Sequence, residues 1–312
     1  MKKYVLGADI GGTTVKLGLF TVDGELLDKW EIPTVLGEGS DILRDVASSC
    51  EKMMQKKNLS KDEFAGIGLG VPGPVRGDGS VDVCVNLGWG TKAVKAEMEE
   101  IFGLPAAVGN DANVAALGEM WRGGARGYEN VVMVTLGTGV GGGIIVDGKI
   151  ISGAHGYGGE IGHIMINTHE TEKCNCGKCG CLEQYCSATG IVREAGKKLK
   201  ENNCDTILQK IENFTAKDVL DAAKEGDSFA VDIVESFAKR LARGLSFISC
   251  VTDPDIFVIG GGVSKAGTII TETVQKYYKE CVFGQQKASL FALATLGNYA
   301  GIYGCAKLVL SE

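Results

Sequence analysis

The chain has 312 residues, 45% hydrophobic and 23% charged, with a formal net charge of −7 and a pI near 5.2. That length carries two domains with their own cores, and the acidic balance disfavours a nucleic-acid binder, which shows a basic face. No stretch approaches the roughly 18–20 apolar residues of a membrane span, and the opening MKKYVLGA (1–8) meets Asp9 too soon to be a signal peptide, so the 11 cysteines read as thiols or metal ligands of a cytoplasmic protein.

Residues 4–27, YVLGADIGGTTVKLGLFTVDGELL, spell a strand, a glycine-rich turn, a second strand, an Asp23-Gly24 turn and a third strand. Asp-Gly between apolar runs marks a hairpin. The turn in DIGGTTVK (9–16) suits a phosphate. Gly11 and Gly12 let backbone N–H groups approach an anion, Thr13 and Thr14 add hydroxyl donors, and Lys16 adds charge. Asp9 at the strand end suits orienting Mg²⁺ or its waters. An ordinary hairpin with a solvated Thr and Lys face fits the same residues.

Residues 41–57 and 91–102 have helical periodicity, and AGIGLGVPGPV (65–75) reads as a buried strand entering a rigid turn. In the loop VNLGWG (85–90), Asn86 and Trp89 offer a sugar one amide and one apolar face, though the sequence alone favours a structural reading of each. LPAAVGNDANVAALGEMW (104–121) predicts a short strand and a helix that begins around Asn110 and Asp111. Asp111 has two readings here: the helix N-cap, or a catalytic carboxylate at the carboxyl end of a strand.

VVMVTLGTGVGGGIIVDGKII (131–151) repeats the first pattern of strand, glycine turn, strand, Asp-Gly turn and strand. Its G-x-G-x-x-G at 137–142 is no dinucleotide fingerprint, because that needs a helix after the glycines and a hairpin follows here. Two glycine-turn hairpins suggest an internal duplication in which each half offers one phosphate-facing turn, with the ligand between them.

Residues 159–183 carry GEIGH, ten spacer residues and CNCGKCGCLE. Cys174, Cys176, Cys179 and Cys181 lie within eight residues, downstream of His163. Thiolates plus an imidazole at turn-like spacing suit a tetrahedral zinc, and four ligands make the site closed and structural. Glu160 and Glu183 flank it, so a metal here would also fix where those carboxylates point. A disulfide cluster, or a zinc knot of cysteines with His163 uninvolved, uses the same residues.

A mostly helical region follows (187–250), with Val231, Val234, Ala238, Leu241, Leu245 and Ile248 on one core face. DPDIFVIGGGVSKAG (253–267) is a strand, three glycines and a helix start; Gly260 to Gly262 would let a nucleotide approach the backbone. An apolar helix, about 297–311, closes the chain.

In this order, DIGGTT, GVPGPV, NLGW, GNDAN, TLGTGVGGG, GEIGH, CNCGxxGCLE and VIGGG resemble the ROK sugar kinases (repressor, open reading frame, kinase), and within them the bacterial glucokinases. The resemblance implies an α/β, actin-like and ribonuclease-H-like fold. A small N-terminal domain (1–112, joined by a helix at about 297–312) and a larger domain (113–296) with the zinc loop would close over a cleft. It implies transfer of the ATP γ-phosphoryl group to the 6-hydroxyl of glucose, with Mg²⁺ and structural Zn²⁺. Asp111 would be the base, and Asn110, Glu160, His163 and Glu183 would hold the sugar. Gly11, Gly12, Thr13, Thr138 and Gly139 would hold the phosphates, Gly261 and Gly262 would lie near the adenosine, and His163, Cys174, Cys176 and Cys181 would bind zinc. Cys179 departs from the family pattern, as a competing thiol. The family implies a dimer or tetramer.

The family's repressors carry an N-terminal helix-turn-helix, for which a first motif at residue 9 leaves no room. A non-catalytic sugar sensor would be expected to lack the base. Kinases for N-acetylmannosamine, fructose, mannose and allose share these motifs, although NLGW and GNDAN look most like glucokinase. Polyphosphate fits the same phosphate turns as ATP.

Overall fold

The computed structural model describes residues 2–37, 40–201 and 204–311. The chain opens with strands β1 (Tyr4–Ile10), β2 (Thr14–Thr21) and β3 (Leu26–Pro33), then helix α1 (Ile42–Lys56). Next come β4 (Phe64–Val71), α2 (Val94–Phe102), β5 (Ala106–Asn110) and α3 (Asp111–Arg122). The second half has β6 (Val131–Leu136), β7 (Val140–Val146), β8 (Lys149–Ile150), α4 (Glu183–Cys186), α5 (Ala188–Glu201), α6 (Ala216–Lys224) and α7 (Ser228–Thr252). It ends with β9 (Ile256–Gly260), α8 (Thr268–Cys281), β10 (Leu290–Leu293) and α9 (Ala300–Val309). Among the described residues no helix is long and apolar enough to cross a membrane.

The chain divides into two compact units, each assembled from separate segments. The first comprises residues 1–127, 143–159 and 295–312. Its sheet has the order β3-β2-β1-β4-β5, antiparallel through β3, β2 and β1 and parallel through β1, β4 and β5. Side chains alternate faces along a strand. Leu6, Ala8 and Ile10 of β1, with Ile67, Leu69 and Val71 of β4, therefore enter one core with Leu43 and Val46 of α1 and Met98 and Phe102 of α2.

The opposite face of β4 is nearly bare, because AGIGLGV alternates glycine with large apolar residues. That flatness admits α9: a Cβ on Gly68 would run into the Cys305 carbonyl. Ile302 and Ala306 of α9 bury there with Val5 and Phe20. α3 crosses α9 equally closely, since a Cβ on Gly304 would strike the Val114 carbonyl. The same alternation puts Asp9 on the α9 face, where its Oδ2 lies 2.5 Å from the place a Gly301 Cβ would occupy.

The second unit comprises residues 128–142 and 160–294. The second sheet has the order β10-β9-β6-β7-β8, with β6, β9 and β10 parallel and β7 antiparallel to β8. β7 carries the chain from the second unit back into the first. All five residues of β9 are buried. Phe257 stacks on Phe291 at 4.9 Å, and the buried Tyr278 meets both rings edge-on while its hydroxyl bonds Ser249 Oγ at 2.6 Å. Val234, Ala238, Leu241, Leu245 and Ile248 of α7 are buried as their spacing predicts. Val231 is not: it is 37% exposed, and the core face is completed by Ala230, Ile233 and Phe237.

Candidate active site

In the first unit β5 ends at Asn110 and α3 begins at Asp111, so two polar side chains stand together at this junction. Asn110, not Asp111, caps the helix. Its Oδ1 accepts from Ala112 N–H (3.0 Å) and Asn113 N–H (3.2 Å), and its Nδ2 donates to the Gly73 carbonyl (3.0 Å). Asp111 is the first helical residue, where the positive helix end favours an anion, and its Oδ1 accepts from Ala112 N–H at 2.8 Å. Asp111 is an exposed residue, yet desolvation raises its carboxyl from the ordinary value. The Ala112 N–H and the Asn110 side chain pull the other way.

Asp9 sits at the end of β1, in register with Lys16 on β2. Burial pushes its carboxyl up to about 6, with Lys16 opposing and the Asp111 charge adding to the rise. The glycine turn closes through Gly11 N–H to the Thr14 carbonyl (3.1 Å), and Thr34 Oγ1 donates to the Gly11 carbonyl (2.6 Å). Gly12 and Thr13 are left on the surface. A Cβ on Gly12 would lie 3.3 Å from the Asn86 carbonyl, so the 85–90 loop lies over this turn. Trp89 packs against the first unit's core, which favours its structural reading.

In the second unit the turn from β6 to β7 is fastened on one side. Gly137 N–H bonds the Gly139 carbonyl (3.0 Å), and Glu183 Oε2 accepts from Val140 N–H (2.9 Å). A side chain at Gly139 would collide with the Glu183 carboxylate. Gly261 has φ +84°, where its Cα packs over Leu136, so the 260–262 turn lies directly against the 136–139 turn. Two of the segments that the sequence assigns to a nucleotide thus meet within this unit.

Glu160 is exposed and leads into the short 3-10 turn Ile161–His163. One ligand atom from each of His163, Cys174, Cys176 and Cys181 lies within 4.8 Å of the others, so the four can hold one metal ion. His163 Nδ1 is 3.9 Å from Cys174 Sγ, and Cys176 Sγ is 3.6 Å from Cys181 Sγ. Cys179 is turned away, with its Sγ 3.7 Å from the Thr171 carbonyl. All of these cysteines are free thiols.

The loop is also held without a metal. Gln184, buried, accepts from Gly180 N–H (2.8 Å) and Cys181 N–H (3.1 Å) and donates to the Glu172 carbonyl (2.9 Å). Glu170 Oε2 accepts from Tyr185 OH (2.6 Å) and pairs with Arg193, and the Tyr185 hydrogen bond is the largest cause of a Glu170 carboxyl lowered to about 2. Sequence reasoning missed Gln184, although a Gln directly after Glu183 at a helix start is a usable signal.

The sequence profile of the ROK family matches residues 5–312. The chain belongs to the ROK family. It is 41% identical to a glucokinase of Halalkalibacterium halodurans over 99% of this chain and 96% of that protein. Among solved structures it resembles a ROK hexokinase from Thermus thermophilus (29% identity, TM-score 0.79, 98% of this chain and 97% of that one). It also resembles a ROK glucokinase from Streptomyces griseus in complex with glucose and AMPPNP (31% identity, TM-score 0.74, 99% of this chain and all of that one). The two mixed sheets with their helices are the actin-like α/β fold of these ROK proteins.

Proposed function

We propose that the chain is an ATP-dependent glucokinase that transfers the γ-phosphoryl group to the 6-hydroxyl of glucose, with Asp111 as general base. The observation that carries this reading is the division of labour at the start of α3. Asn110 does the capping, so Asp111 gives only Oδ1 to the backbone and keeps a carboxylate of raised basicity at the surface. A base whose pKa is raised toward the working pH takes a hydroxyl proton more readily. The 41% identity to a glucokinase and the likeness to a glucose- and AMPPNP-bound ROK glucokinase support the choice of substrate and donor.

Asp111 accepts the proton of the sugar's 6-hydroxyl as that oxygen forms its bond to the γ-phosphorus. The bond from phosphorus to the bridging oxygen breaks, and ADP leaves with the electron pair. Such transfers ask the protein mainly for positioning and charge stabilisation. Asn110, Glu160, His163 and Glu183 hold the sugar hydroxyls. Gly11, Gly12, Thr13, Thr14 and Lys16, with Thr138 and Gly139, hold the phosphates, and Gly261 and Gly262 lie near the adenosine. Asp9 would hold Mg²⁺ through its waters; Mg²⁺ neutralises phosphate charge when bound.

His163, Cys174, Cys176 and Cys181 would hold a structural zinc. A tetrahedron with Zn–S of about 2.3 Å and Zn–N of about 2.0 Å has an S–S edge of about 3.8 Å and an S–N edge of about 3.5 Å; the Cys176–Cys181 separation of 3.6 Å fits the first, and the His163–Cys174 separation of 3.9 Å needs the imidazole to move in by about 0.4 Å to meet the second. With Nδ1 turned to the cysteines, the imidazole keeps Nε2 to donate to a sugar hydroxyl.

The deciding experiment is sugar-phosphate formation, with ATP or polyphosphate as donor, across a panel of glucose, mannose, N-acetylmannosamine, fructose and allose. Strong preference for glucose supports the proposal. Preference for another hexose overturns the glucose assignment, and inactivity of folded protein with all five, using ATP or polyphosphate, overturns the kinase assignment.

A further inference from the structure

The glycine turn at 137–139 has a complete hydrogen-bond ledger on one side and an open one on the other. Ala188 N–H, at the start of α5, donates to the Gly137 carbonyl at 2.8 Å. Thr189 Oγ1 donates to the Thr138 carbonyl at 2.8 Å. A trans peptide holds its C=O and N–H on opposite sides. Pinning the Gly137 and Thr138 carbonyls toward α5 therefore turns the next two N–H groups, of Thr138 and Gly139, away from it. Among the described residues neither of those N–H groups has a protein acceptor. They form a pair of parallel donors, the arrangement that receives an anion.

The hydroxyl that sets this direction is itself directed. Thr189 and Ser187 oxygens are 2.9 Å apart, and Ser187 Oγ also accepts from Gly190 N–H at 3.0 Å. A hydroxyl has one hydrogen to give. Thr189 gives its own to Thr138, so the Ser187 hydrogen must go to Thr189. The order is fixed from Gly190 N–H to Ser187, from Ser187 to Thr189, and from Thr189 to the Thr138 carbonyl. Ser187 is fully buried, which shields that chain from water, whereas Thr189 is exposed at its end.

We infer that Ser187 and Thr189 are positioning residues for the nucleotide: their hydroxyl relay orients the Thr138–Gly139 peptide so that its donor, the Gly139 N–H, faces the phosphates. The inference rests on the proposal that residues 138 and 139 hold the phosphates. It assigns a role to the first turn of α5 that neither the glycine motif nor the metal loop contains.

The test is binding of AMPPNP by calorimetry, with KM for ATP and for glucose, in Thr189→Val, Thr189→Ser, Ser187→Ala and the double variant Ser187→Ala/Thr189→Val. Thr189 also lines a cavity of about 240 Å³ beside Thr138 and Glu183, so the isosteric valine is accommodated. Thr189→Val should weaken AMPPNP and raise KM for ATP about tenfold, the scale of one lost hydrogen bond, with KM for glucose within about twofold. Thr189→Ser should restore the parent values. Ser187→Ala should fall between, and the double variant should be no worse than Thr189→Val, because the relay is one chain. Failure of serine to rescue, or a parallel rise in KM for glucose, overturns the inference. Adenosine separates the two levels of the argument. If the parent binds AMPPNP more tightly than adenosine and Thr189→Val does not weaken AMPPNP, the relay falls and the phosphate turn stands; if the parent binds adenosine as tightly as AMPPNP, the phosphate turn falls as well.

Discussion

Glu119 offers the most direct test of how the first unit is held together. Its carboxylate is fully buried near the end of α3. Oε2 accepts from Gly124 N–H at 2.7 Å and Thr295 N–H at 3.0 Å, and Oε1 accepts from Leu296 N–H at 2.8 Å. One side chain thus fastens the chain just past α3 to the segment that leads into α9. Glu119→Gln keeps the volume and replaces one oxygen by a donor. With the amide oxygen at the Oε2 position, two bonds survive in neutral form, each weaker by about 0.5–1 kcal/mol than a charge-assisted one. The Leu296 N–H then faces an NH₂, and an orphaned buried donor costs about 1–3 kcal/mol. Removing the cost of a buried charge returns part of this, leaving a net loss of about 2–3 kcal/mol. Urea unfolding at pH 7 measures it as a lower midpoint at unchanged slope. A variant within about 0.5 kcal/mol of the parent would show that the three bonds add nothing net, and the clamp argument would be wrong.

Asp111→Asn should lower kcat by about 10²–10⁴-fold while KM for glucose moves by less than about threefold; near-normal turnover would remove the base. Purified protein never exposed to chelator should hold about one zinc per chain by metal analysis. Cys181→Ser should lose it and Cys179→Ser should keep it; the reverse would mean that the ligand set is misassigned. Asp9 has a folded-state carboxyl raised to about 6 from an ordinary 3.8, so the folded chain binds more protons than the unfolded chain between about pH 4 and 6, and its contribution to stability falls as pH rises through that window. Asp9→Asn should therefore be more stable than the parent at pH 7, by up to about 3 kcal/mol, and no less stable at pH 3.5, while turning over far more slowly; a variant less stable at pH 7 would refute the burial argument.

The parts of the site that were legible in the sequence are those whose chemistry is local. The glycine turns at 11–13 and 137–139 announce themselves because hairpins need particular residues at particular positions. That His163 and the cysteines of 174–181 form a candidate metal cluster was legible because such a site needs soft ligands close together. That Cys179 stands outside was a matter of the family pattern, and its contact with the Thr171 carbonyl accounts for its direction. Asp111 and Asn110 could not be told apart as caps, since either side chain serves; only the Gly73 carbonyl, brought up by the end of β4, holds Asn110 in the capping position. Glu119 was invisible for a different reason. Its partners lie 176 and 177 residues away, and nothing in LGEMW marks a carboxylate destined for the interior. The hydroxyls of Ser187 and Thr189 read as ordinary helix-start residues until the Thr138 carbonyl is placed beside them.

The bare face of β4 has a bearing on how the chain is made. β1 is complete at Ile10, yet the helix that covers its face begins at Ala300. At about 5–20 residues per second, a ribosome takes roughly fifteen seconds to a minute to supply that helix. Throughout that interval the nascent sheet presents Val5, Phe20 and a glycine-flattened groove with nothing seated in them. Chaperones that recognise exposed apolar strands have their longest opportunity there. A message truncated near its 3′ end would yield a chain with every proposed ligand-binding residue present and the Val5 and Phe20 face of its first sheet uncovered.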